Sequence, residues 1–165
     1  MGKVYSLHSS QKVPASLEEI WAFFSDAKNL ALVTPPHLNL KVTNPVYGEA
    51  VYAGQVMTYN VKPVLGIPVA WMTEITHVAD KKYFVDEQRK GPYKLWHHQH
   101  HFKAIEGGVE MTDLVHYRLP FGFLGSLAHG ILVKKELQKI FTYRYQKIVE
   151  RFGKWEGEKM EVKFS

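Results

Sequence analysis

The chain has 165 residues, 45% of them hydrophobic, a length and composition that suit one domain with a sizeable core and exclude a disordered chain. It has no cysteine, which excludes disulfides, thiol nucleophiles and cysteine-held metals and fits a cytoplasmic setting. The formal charge is +5, but the densest basic groups are pairs such as Lys81-Lys82 and Lys134-Lys135, so no nucleic-acid partner is expected, and no apolar run is long enough for membrane insertion.

Residues 3–13 alternate and predict a first strand that Pro14 ends. Ser16 and Glu19 have capping-box spacing, so a helix starts there, with Ile20, Phe23 and Phe24 on one side and Trp21 flanking. Asp26 can cap a second short helix through Leu30 and Val33, stopped by Pro35-Pro36. Leu38, Leu40 and Val42 alternate as a half-buried strand. Residues 55–62 predict another, with Met57, Tyr59 and Val61 on its apolar face, and Val69, Trp71, Thr73 and Ile75 line one face of the next.

The stretch 84–117 carries the unusual feature. It predicts three strands, joined by turns at Gly91-Pro92 and Gly107-Gly108. Phe84, Asp86 and Gln88 share a face of the first; Trp96, His98, His100 and Phe102 of the second; Met111, Asp113, Val115 and Tyr117 of the third. Aromatic rings mixed with His, Asp and Gln, where a core would carry Val, Ile and Leu, predict the wall of a pocket. If Gly107-Gly108 is the whole loop, it is a type I′ hairpin that sets Phe102 opposite Asp113, His100 opposite Val115 and His98 opposite Tyr117. A three-residue loop around Gly91-Pro92 sets Asp86 opposite either Trp96 or His98.

From about residue 126 to 152 apolar residues recur at helical spacing, among them Leu127, Ile131, Val133, Leu137, Phe141 and Ile148. That predicts a helix of roughly 25 residues, near 37 Å long. Arg144 is expected at the surface, the alternative being an anion contact near the pocket. Residues 154–165 are expected to be a loose tail, or an edge strand over Met160–Phe164. The fold expected for 1–165 is therefore a single α+β domain: a curved antiparallel sheet of about seven strands wrapped on a long C-terminal helix, with two short helices after strand 1.

This order, with the phrases WMTEIT at 71–76, FVDEQRKGPYKLWHHQHHF at 84–102, MTDLVHYRLPFGFLG at 111–125 and FTYRY at 141–145, resembles the helix-grip fold of the START-like superfamily. Within it, the chain looks like a bacterial ligand-binding branch often labelled polyketide cyclase/dehydrase-like. The resemblance implies a single ligand-binding domain that holds a hydrophobic or aromatic small molecule between sheet and helix. The expected pocket residues are Tyr59, Trp71, Phe84, Asp86, Gln88, Trp96, His98, His100, Asp113, Tyr117 and Phe141. Its mouth is expected at Pro63–Pro68, Pro120–Gly125 and the first-helix region.

Three functions follow from this face. The favoured one is binding without chemistry, the polar cluster orienting the ligand. The second is a cyclase/dehydratase-type enzyme. Its candidate catalytic residues are His98, His100 and Asp113, a His–Asp pair serving as base and Tyr59 or Tyr117 as donor. The third is a lipid or quinone chaperone that uses the basic surface at a membrane or partner. His98 and His100 could share a metal with Asp86 or Asp113. The expectation is instead no metal and no cofactor, with the histidines hydrogen-bonded to Asp86, Asp113 or Gln88.

Overall fold

The structure is a computed structural model and describes residues 2–44, 50–63, 66–120 and 132–165. Strand β1 (Tyr5–Val13) is followed by helix α1 (Leu17–Ser25), a 3-10 helix (Ala27–Val33) and a 3-10 turn (Pro36–Leu38). Strands β2 (Lys41–Val42), β3 (Val56–Val61), β4 (Val69–Ala79), β5 (Tyr83–Lys90), β6 (Leu95–Ile105) and β7 (Gly108–Arg118) come next, then helix α2 (Lys134–Phe152) and strand β8 (Glu161–Phe164). The strands form one antiparallel sheet in the order β2-β3-β4-β5-β6-β7-β1-β8. No helix of the described residues is long and apolar enough to cross a membrane.

The capping signals set the first helices as expected. The Glu19 backbone N–H donates to Ser16 Oγ (3.2 Å), and the Ser16 N–H donates to Glu19 Oε2 (3.0 Å). Asp26 Oδ1 accepts from the Lys28 N–H at 3.0 Å and opens the 3-10 helix. Trp21, expected to flank the apolar side of α1, is buried, edge-on to Phe84 and Phe102.

Three expectations are corrected. Leu38 lies in the 3-10 turn and Leu40 outside any strand, so β2 keeps only Lys41–Val42: Pro35-Pro36 carries the chain into a turn, and Asn39 takes the left-handed conformation (φ 46°). Among the described residues the sheet has eight strands: of the two readings of the tail the edge strand holds, tied to β1 through Leu7↔Phe164 and Ser9↔Val162. The β6–β7 loop is Glu106-Gly107, not Gly107-Gly108. Only Gly107 has positive φ (83°), so the turn is not type I′, which needs it at both central residues. Gly108 instead pairs with Ile105, where an added Cβ would stand 2.1 Å from the Val13 carbonyl oxygen. The register moves by two residues, so every side chain keeps its face but changes its partner.

Helix α2 covers the later part of the predicted helix, about 28 Å at 1.5 Å per residue. Residues 121–131, where that expectation began, lie outside the described residues, as do 64 and 65 of the expected mouth. Helix α2, with Val133 just before it, packs Leu137 and Phe141 onto Tyr5, Leu7, Val115 and Tyr117. Its far end sets Ile148 into a second cluster with Val13, Ile20, Trp21, Phe102 and Val109. Register breaks in the β4–β5 pair leave Arg89 and Thr76 without an opposite residue, and such bulges bend a sheet.

Candidate functional site

The central element is β6. Across it, Asp86 of β5 lies opposite His98, and Asp113 of β7 lies opposite His100. The two carboxylates are thus staggered by one inward position on either side of the histidine pair. Each is close enough to reach both rings, as diagonal neighbours on a sheet face can.

Asp113 Oδ1 is 2.9 Å from His98 Nε2 and 3.0 Å from His100 Nδ1. Asp86 Oδ2 is 2.9 Å from His100 Nε2 and 3.5 Å from His98 Nδ1. The two rings lie 3.8 Å apart, centre to centre. Phe84 stacks on His100 at 4.2 Å, and Trp96 meets His98 edge-on.

From the helix side comes Arg144. Its side chain is 11% exposed, and its Nη2 lies 3.2 Å from both Asp113 Oδ1 and His100 Nδ1. The expected surface arginine is therefore inside, as the alternative had it. A guanidinium only donates, so it can bond Nδ1 only where that nitrogen is unprotonated, whereas Asp113 accepts in either case. Phe24 of α1 covers the guanidinium at 5.0 Å.

These contacts push the four titrating groups in different directions. Burial alone would raise the Asp113 carboxyl; Arg144 and hydrogen bonds from His100 and His98 overcome it and hold Asp113 well below the usual carboxylate range. Burial likewise opposes the charge on Asp86, but His98 and His100 keep it below its ordinary value. For His98, burial and the adjacent His100 lower the pKa despite both carboxylates. For His100, burial is outweighed by hydrogen bonds to Asp113 and Asp86, and its pKa is raised.

The cluster borders a cavity of about 210 Å³ between the sheet, α2 and the 3-10 helix. On the same measure a single water needs only about 10–15 Å³. Of the residues singled out from sequence, Tyr59, Trp71, Phe84 and Trp96 line it with Asp86, His98, His100 and Phe141. Three do not. Gln88 is spent on the β5–β6 turn, donating to the Tyr93 carbonyl at 2.6 Å and accepting from the Tyr93 N–H at 3.2 Å. Tyr117 is fully buried beneath α2, stacked on Tyr5. Asp113 stands behind the two histidine rings, away from the cavity.

Sequence reasoning missed Tyr93, which leaves the turn to pack on Trp71 and Trp96 and lines the cavity. Turn residues carry no periodicity, so no signal marked it. The 3-10 helix adds Leu30 and Val33, and α2 adds Glu136 and Ile140. Of the expected mouth, Pro63 and the first-helix residues Phe23 and Phe24 line the cavity. Tyr59 Oη lies 2.7 Å from Thr73 Oγ1, and burial pushes its phenol up, so it stays protonated. Trp71 Nε1 and Arg144 Nε are buried with no hydrogen-bond partner among the described residues.

Neither a protein-family model nor a curated protein matches the chain. Solved structures do. Ginseng major latex-like protein 151 from Panax ginseng aligns with a TM-score of 0.62 at 11% identity, over 92% of this chain and 99% of its own. The protein TTHA0849 from Thermus thermophilus aligns at 0.62 and 19% identity, over 89% and 96%. Ara h 8.0201 aligns at 0.59 and 14%, over 90% and 100%. At these identities the likeness shows the fold. The chain is an α+β protein of the helix-grip kind, one curved antiparallel sheet with a C-terminal helix.

Proposed function

We propose that the protein binds a hydrophobic or aromatic small molecule in this cavity, with a polar end of the ligand against Asp86, His98, His100 and Arg144. The observation that carries the reading is the composition of one continuous wall. Trp71, Trp96, Tyr93, Phe84 and Phe141 surround it, and its polar groups converge at one place. A wall of this kind suits an apolar body with one oriented polar group. The unpartnered Trp71 indole N–H and Arg144 Nε–H supply donors that a carbonyl, phenol or carboxylate oxygen could satisfy. We place the protein in the cytoplasm on its cysteine-free composition.

Tryptophan fluorescence tests this. Titration with a flavonoid and with a medium-chain fatty acid should quench Trp71 and Trp96 saturably for at least one probe. Leu30→Phe, which narrows the cavity beside the 3-10 helix without adding a tryptophan, should weaken that probe by tenfold or more. Equal quenching in wild type and variant, or none with either probe, would overturn the reading.

A second reading is favoured by one observation: adjacent histidines shifted in opposite directions. A histidine held lower beside one held higher is the kind of difference that separates a base from an acid. A cyclase- or dehydratase-type enzyme could use His98 to take an acidic α-proton and Tyr59 to donate to the enolate. It predicts that His98→Ala abolishes turnover and leaves ligand affinity nearly intact. Loss of affinity alone returns the case to binding.

A further inference from the structure

The two inward histidines of β6 turn opposite edges to two different carboxylates. The His98 Nε2 and His100 Nδ1 edges face Asp113, at 2.9 and 3.0 Å. The His98 Nδ1 and His100 Nε2 edges face Asp86 Oδ2, at 3.5 and 2.9 Å. A neutral imidazole carries its proton on one nitrogen and a lone pair on the other, and an ionised carboxylate only accepts. Asp113 fixes His98 Nε2 as the N–H, so the His98 lone pair falls on Nδ1, toward Asp86. A neutral His100 has two arrangements: with its proton on Nε2 it donates to Asp86 and its Nδ1 accepts from Arg144, and with its proton on Nδ1 it donates to Asp113 and turns the Nε2 lone pair to the Asp86 oxygen as well.

Three electron-pair donors from Asp86, His98 and His100 then lie within 4.8 Å of one another. That arrangement is unfavourable unless a cation sits among them. A proton on His100 Nε2 answers it in part, since it bonds Asp86 but leaves His98 Nδ1 without a donor. A divalent ion answers all three together. The charges agree: two carboxylates and the guanidinium of Arg144 leave one negative charge when both rings are neutral.

We propose that Asp86, His98 and His100 bind a divalent first-row transition ion, zinc being the type case, with Asp113 holding both rings from behind. Two imidazoles and one carboxylate suit zinc, cobalt or iron better than the oxygen-seeking magnesium or calcium. A carboxylate on the distal N–H of a ligating histidine fixes its tautomer and raises its basicity. Here one carboxylate serves both rings. All three ligating residues border the cavity and Asp113 does not, so the remaining coordination positions face the cavity. The site stands on this geometry and does not depend on the small-molecule reading. Sequence alone set metal aside; the observed register, with Asp113 opposite His100 instead of Phe102, reopens it.

The test uses the full chain stripped with chelator, then titrated with cobalt(II) and with zinc. Cobalt should give visible ligand-field absorption, and zinc should remain after desalting as a single ion per chain. His98→Ala, His100→Gln and Asp86→Asn should each abolish stoichiometric uptake, with circular dichroism and thermal unfolding confirming the fold. If one variant fails to fold, the other two decide. Asp113→Asn should lower affinity by about 10- to 100-fold. The double change His97→Ala with His101→Ala, on the outer face of the same strand, should leave uptake unchanged. No retained ion in the wild type, or uptake that follows His97 and His101 instead of His98 and His100, would overturn the proposal. Small-molecule titration in the presence of chelator reads the ligand proposal separately.

Discussion

Asp113 is the residue on which the buried cluster turns. It accepts from two histidines and an arginine, all nearly enclosed. Removing its charge takes from the buried Arg144 the carboxylate that touches it, so Asp113→Asn should cost about 3–5 kcal/mol in urea unfolding at neutral pH. The acid limb should change with it. Because the folded carboxyl is held well below its ordinary value, its contribution is fully present above the unfolded pKa of about 3.9 and is lost as pH falls through the lower folded value. The variant should lack that part of the acid limb. The histidines have opposite signs. His100, raised, contributes stability below about pH 6.5 that is lost as pH rises through its folded pKa, whereas His98, lowered, contributes above about pH 6.5 and loses it as pH falls. Ring nitrogen-15 shifts of chelator-treated protein should show His98 titrating at lower pH than His100. A single shared midpoint at the ordinary value would contradict that division.

Among the elements, the β6–β7 hairpin decides which side chains meet. Gly108→Ala should destabilise the protein well beyond an ordinary surface change, because its Cβ would press on the Val13 carbonyl and part β7 from β1. Thermal unfolding checks it; a melting point equal to wild type would contradict the close approach. Ser16→Ala should cost about 1 kcal/mol through the lost cap of α1. What sequence could show is clear in this hairpin. Side-chain alternation is strict, so the inward set Trp96, His98, His100 and Phe102 was legible, and so was the inward set of β7. The turn was not. Two adjacent glycines suggested a loop made of both, whereas the chain uses one for its positive φ and the other for lack of a Cβ. Both demands select glycine, and sequence cannot separate them. Arg144 was ambiguous for a similar reason: a helical period places it near the inner face, but only the counter-charges Asp86 of β5 and Asp113 of β7 justify burying it.

Across the whole molecule, order and periodicity were enough for a helix on a curved sheet. The cavity is a different matter, since it is the space that α1, the 3-10 helix, α2 and the sheet leave unfilled, and no local pattern encodes an unfilled volume. That is why Gln88 and Tyr117, correctly assigned to inward faces, nevertheless do not line it. The polar end of the cavity lies where the sheet's central strand meets the middle of α2. The most direct measurement is a nuclear magnetic resonance titration of labelled protein with the flavonoid probe. Binding as proposed predicts saturable shifts of the Trp71 indole N–H and of the His98 and His100 ring nitrogens, while His97 and His101 stay unmoved. Shifts confined to the outer face of β6, or none up to the solubility limit of the probe, would contradict it.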